Sequence, residues 1–133
     1  MYTKQLSVFL ENRQGRLEEV LEALKESNIN VFAMSLADTC DYGLLRMIVS
    51  DAERGLHALK SKELSAMITD VLTIKLPHRA GCLQELLEKV VKAGINIEYM
   101  YNMSSAGDDA ELIVKTSNLD KAAEILKESG VLL

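Results

Sequence analysis

The chain has no tryptophan, and only 2 phenylalanines and 4 tyrosines among its 133 residues. It has a single proline, Pro77, and by composition it is neither low-complexity nor disordered. Its two cysteines, Cys40 and Cys82, make neither a disulfide framework nor a zinc cluster, and no cofactor or metal is expected. No basic run occurs, and the net charge of −5 argues against nucleic acid, whose binders cluster Lys and Arg. The apolar runs stop short of the roughly 20 residues a membrane span needs. The opening Met-Tyr-Thr-Lys-Gln lacks the apolar region of a secretory signal. These absences lead to the expectation of a cytoplasmic protein without membrane or nucleic-acid partners. With 48% hydrophobic residues it can bury a core.

What is present is a repeat. Shifting the sequence by 66 positions places Arg13, Gly15, Leu17, Glu19, Leu21, Glu22, Ile29, Asn30 and Met34 on Arg79, Gly81, Leu83, Glu85, Leu87, Glu88, Ile95, Asn96 and Met100. A period this long exceeds solenoid units of about 20–50 residues and fits two small domains, residues 1–69 and 70–133.

Within the first copy, Leu6, Val8 and Leu10 alternate as a strand, and Leu17, Val20, Leu21 and Leu24 follow helical spacing. Ser27-Asn28 ends that helix. A second strand is read over 29–36, a turn at Asp41-Tyr42-Gly43 and a third strand over 44–49. Asp51 caps a second helix, and Met67-Ile68 belong to a fourth strand. The second copy repeats this order, with a turn over 104–109, Gly94 and Gly130 ending its helices, and a short last strand at 131–133. The order βαββαβ predicts an α+β fold: two ferredoxin-like units in tandem, each an antiparallel sheet with both helices on one face. The other face is bare, with Phe9, Phe32 and Tyr99 as candidates to lie there or at edges. Sheets uncovered in this way imply pairing, and a homodimer is expected.

The unusual residues of each copy are expected together at one end of its sheet, in the loop after the first strand and at the start of the second, which puts Asn30 next to the Gly15 loop. They are Asn12-Arg13-Gln14-Gly15-Arg16-Leu17 with Asn30-Val31, and His78-Arg79-Ala80-Gly81-Cys82-Leu83 with Asn96-Ile97. These segments resemble the ACT domain, a small-ligand module attached to many enzymes of amino-acid metabolism. Its signature is Asn or Asp, a spacer, Pro-Gly and an apolar residue, followed later by Gly-[apolar]-Asn-[apolar]. Gln14 and Ala80 stand where the family commonly has proline, and His78 where it has the loop Asn. The resemblance spans both copies. It implies a non-catalytic, allosteric regulatory protein that binds a free amino acid at domain interfaces, through the residues just named other than Arg79 and Ala80.

Simple physics agrees with that implication. A zwitterion's carboxylate suits a helix N-terminus, and an asparagine side chain both donates and accepts. Asn12 and Asn30 are expected to read the two ends of one ligand. Gly15 and Gly81 either let backbone approach that ligand or merely permit a turn. Arg13 and Arg79 read as solvated charges, and Met34 and Met100 as core residues. Two other readings stay open. One is a ligand-independent module docking on a metabolic enzyme or transcription factor. The other is a thiol enzyme using Cys82 with His78.

Overall fold

The structure, a computed structural model, describes residues 2–38, 41–103 and 107–133. Its elements are β1 (Thr3–Glu11), α1 (Arg16–Glu26), β2 (Val31–Asp38), β3 (Tyr42–Val49), α2 (Ala52–Ser61), β4 (Ser65–Pro77), α3 (Cys82–Lys92), β5 (Ile97–Met103), β6 (Asp109–Thr116) and α4 (Leu119–Glu128). This is the βαββαβ pattern repeated in an α+β fold, with β4 running through the boundary between the two copies. The chain divides into two compact units, Lys4–Thr69 and Asp70–Leu133, with Tyr2 and Thr3 grouped in the second.

In the first unit β3 is flanked by β1 and β2, both antiparallel to it. Leu6 and Met34 oppose Met47, while Val8 and Leu36 oppose Leu45. Residues directly opposite share a face, so this register sends Leu6, Val8, Leu45 and Met47 toward α1 and α2. There they join Val20, Leu24, Ile29, Leu59 and Leu64 in one buried cluster. Each such side chain contributes on the order of 1.5–3 kcal/mol of burial free energy. Gly55 lets α2 sit close, since a Cβ there would lie 2.9 Å from Leu6 Cδ2.

The second unit repeats the scheme around β6, flanked by β4 and β5. Leu72, Ile74, Leu76, Leu112 and Val114 face α3 and α4 and bury with Leu86, Val90, Ala123 and Leu126.

Several expectations need adjustment. Ile29 is buried as a core residue and β2 begins only at Val31. Gly43 is not a turn glycine. It lies within β3, where a Cβ would press on Leu36 Cδ1 at 3.3 Å. The last strand shrinks to one bridge, Ile74 with Leu132, flanked by bonds from Lys75 N to Val131 O and Leu133 N to Thr73 O. Met34 is not a core residue: on edge strand β2 it is 41% exposed, whereas Met100 packs against the second core. The helix ends behave as read, with Asn28, Gly94 and Gly130 all at positive φ. Phe9 opposes Leu44, and Tyr99 opposes Lys115, on the faces away from the helices, while Phe32 sits at a β-bulge. The expected turn over 104–109 falls partly outside the described residues, as does Cys40.

Candidate functional site

Backbone bonds set the path of the loop after β1. Asn12 N donates to Asp41 O at 3.0 Å and Arg13 N to Glu11 O at 2.8 Å. In the second unit His78 N donates to Asp108 O at 3.0 Å and Arg79 N to Pro77 O at 3.0 Å. Because these bonds use no side chain, the exchange of Asn12 for His78 leaves the loop path unchanged. Each loop enters its helix through a left-handed glycine, Gly15 at φ +88° and Gly81 at φ +85°. That geometry costs a side-chain-bearing residue about 1–2 kcal/mol, so the turn requirement alone accounts for glycine. Space adds a second feature: a Cβ on Gly15 would meet nothing within 4 Å.

A glycine cannot cap a helix with a side chain. Among the described residues, none caps α1 or α3. By contrast, Asp51 caps α2 by accepting from Arg54 N, and Asn118 caps α4 by accepting from Lys121 N. In each first turn the leading amide donates back into the loop, Arg16 N to Arg13 O at 3.4 Å and Cys82 N to Arg79 O at 3.3 Å, and no side chain caps the amides of the next two residues, a setting that favours an anion. The neighbouring charges are paired: Arg16 with Glu19 at 2.6 Å, Arg13 with Glu11 at 3.0 Å, and Arg79 with Glu85 at 3.9 Å. Asn12, Gln14, His78 and Gly81 are exposed. Leu17, Val31, Cys82, Leu83 and Ile97 are half-buried and pack on the rims of the two cores.

Asn30 is not beside the Gly15 loop of its own unit, contrary to the sequence expectation. β1 and β2 run parallel on either side of β3, so Leu10 and Asp38 both oppose Gly43. Asn30 precedes Asp38 by eight positions, which at about 3.3 Å per residue puts it roughly 25 Å down the sheet from the loop. The reason is the crossover itself: α1 carries the chain back along the sheet before β2 starts. Asn96 stands in the same relation to the Gly81 loop. Exposed Asn30 borders a groove of ≈ 400 Å³ at the C-terminal end of α1, with Leu21, Lys25, Asn28 and Val31.

The structure also brings in residues that the sequence reading missed. Ser50 Oγ accepts from Asn30 N at 2.9 Å, and Ser50 N donates to Asn30 O at 2.9 Å. Ser117 does the same for Asn96, at 3.0 and 2.9 Å. Four residues on, Arg54 Nη2 donates to Ser27 O at 2.5 Å, and Lys121 Nζ to Ala93 O at 3.0 Å. Both cations thus cap the C-terminal end of the preceding helix. The signal was present as Ser50-Asp51-x-x-Arg54 and Ser117-Asn118-x-x-Lys121. It is displaced because the second hairpin is one residue longer.

Cys82 occupies the first turn of α3, its N donating to Arg79 O at 3.3 Å, with exposed His78 one turn earlier. Its counterpart in the first unit is Arg16, so the thiol is not part of the repeated arrangement. Among the described residues, no cluster of three or more His, Cys, Asp or Glu could hold a metal ion. No described helix is long and apolar enough to cross a membrane.

Comparison with known proteins agrees with the repeat. A family model described as an ACT domain pair matches residues 1–131. Protein BT0572 from Bacteroides thetaiotaomicron is similar at 44% identity and TM-score 0.94, over 100% of this chain and 92% of that one. The regulatory subunit of aspartate kinase from Thermus thermophilus, in ligand-free form, shares the fold at 16% identity and TM-score 0.68, over 94% of this chain and 90% of that one. Its counterpart from Thermus flavus does so at 17% identity and TM-score 0.64, over 96% and 92%. No curated protein matches.

Proposed function

Since the chain belongs to the family of ACT domain pairs, we propose that it is a non-catalytic regulatory protein that binds a free amino acid between two copies of itself. The observation that carries this reading is the pairing of uncapped helix N-termini, α1 and α3, with open space at the Gly15 loop. Those amides suit the ligand's carboxylate. The opposite end of α1 carries partial negative charge and offers exposed Asn30, which suits the ammonium. The two ends lie too far apart to hold one amino acid within a single unit. A second copy lying antiparallel alongside brings its Asn30 to the first copy's Gly15 loop, and the two-fold axis then makes two equivalent sites. Edge strand β2, with Phe32, Met34 and Leu36 at 45%, 41% and 51% exposure, supplies an apolar, unprotected flank for such pairing. By the same logic the Gly81 loop and Asn96 form a weaker second pair, in which His78 and Cys82 replace Asn12 and Arg16.

We take the two domains as residues 1–69 and 70–133 and the location as cytoplasmic. A ligand that binds only the assembled state stabilises it by mass action. Thermal-shift screening against each of the twenty amino acids therefore tests the reading: at least one raises the melting temperature. No shift with any of them favours the alternative, a ligand-independent module docking on a metabolic enzyme or transcription factor through the same exposed apolar residues.

A further inference from the structure

We propose that Ser50 and Ser117, with Arg54 and Lys121, are positioning residues that aim Asn30 and Asn96 at the bound amino acid. The inference rests on the reading that these two asparagines touch ligand. Three observations carry it. First, one residue grips the asparagine backbone from both sides: Ser50 takes the Asn30 N–H on its hydroxyl at 2.9 Å and returns its own N–H to the Asn30 carbonyl at 2.9 Å. With both peptide groups flanking its Cα held, Ser50 fixes the Cα–Cβ bond from which the Asn30 carboxamide reaches out. Secondly, the chain entering that position is fixed as well. Arg54 Nη2 holds Ser27 O at 2.5 Å, and Asn28 makes the left-handed turn between them at φ +57°. The segment from Ser27 to Asn30 is thus tied at both ends to one short stretch, residues 50–54.

Thirdly, the whole device recurs. Ser117 grips Asn96, Lys121 holds Ala93 O at 3.0 Å, and Gly94 makes the turn at φ +77°. The two copies differ in most other exposed positions, including the loop residues Gln14 and Ala80. Stability alone gives no reason to repeat a hydroxyl grip at an exposed strand start, since an isolated exposed hydrogen bond contributes little. Precise placement of a side chain is a reason, because a ligand contact depends on sub-ångström direction.

The test is a double-mutant cycle read by calorimetry, titrating each of the twenty L-amino acids into wild type, Ser50→Ala, Asn30→Ala, the double variant and Ser50→Thr. For an amino acid that wild type binds, Ser50→Ala should weaken affinity about three- to tenfold. The double variant should bind no more weakly than Asn30→Ala, because without the carboxamide there is nothing left to aim. Ser50→Thr keeps the hydroxyl and should bind as wild type does. Affinity unchanged in Ser50→Ala overturns the inference while leaving amino-acid binding intact. So do losses that add in the double variant, which mark Ser50 as structural support only. Wild type binding none of the twenty overturns the parent reading and the positioning role together.

Discussion

Replacing Asn30 by alanine separates ligand contact from folding, and the structure sets the size of each effect. The bonds that Asn30 makes with Ser50 use its backbone N–H and carbonyl, so truncation leaves both in place. Its side chain is exposed, and removing it opens no cavity. The change in unfolding free energy should stay within about 0.5 kcal/mol, as for other surface substitutions. In the melting temperature of the ligand-free protein this is a shift of at most about 3 °C. Loss of a hydrogen bond to a charged ammonium or carboxylate costs about 1.5–3 kcal/mol, which is roughly a ten- to hundredfold loss of affinity. The assay pairs the apo melting temperature with the dissociation constant on one preparation. A clear drop in apo stability with unchanged affinity would refute the reasoning and return Asn30 to a structural role.

Other expectations follow from particular positions. Light scattering at micromolar concentration should give a mass of a dimer or larger, and a mass near 14.7 kDa would rule out assembly. Gly15→Val should abolish binding more completely than Gly81→Val, because the Gly15 loop keeps Asn12; the reverse order would exchange the two sites. Thr116 is 1% exposed and its Oγ1 has no hydrogen-bond partner among the described residues, whereas Val49 fills the corresponding place in the first unit. Thr116→Val should therefore raise stability by about 1 kcal/mol, seen as a melting temperature higher by a few degrees. A lower melting temperature would show that the hydroxyl has a partner after all.

Much of the fold was legible because its signals are local. The alternation of Leu6, Val8 and Leu10, the spacing of Leu17, Val20, Leu21 and Leu24, and Gly94 after α3 are each read within a few residues, and the repeat let one copy check the other. Of the candidate site, the loops were legible. Gly15 and Asn12 sit in one continuous loop that chain order places correctly. Asn30 was assigned to the wrong end of the sheet, because nearness in sequence hides the length of α1 that separates strand end from strand start. Ser50 and Ser117 went unnoticed because a hydroxyl that grips a backbone carries no periodic signature, and the longer second hairpin puts the pair out of step with the rest of the repeat. Met34 was misread for a related cause: its face of the sheet is the core face, but its strand lies at the edge, and edge position depends on strand pairing.

The central claim is that one amino-acid site is built from the Gly15 loop of one copy and Asn30 of another, and subunit complementation tests it most directly. In an Asn96→Ala parent, which keeps the first-unit sites alone, one population carries Asn30→Ala and the other Gly15→Val. Each by itself should bind the parent's amino acid at least about tenfold more weakly, leaving no site of the parent's affinity. Co-refolded as a mixture, they should recover roughly a quarter of the parent's sites, because each mixed dimer holds one site with both wild-type halves. A mixture of folded dimers that recovers no binding would contradict a shared site.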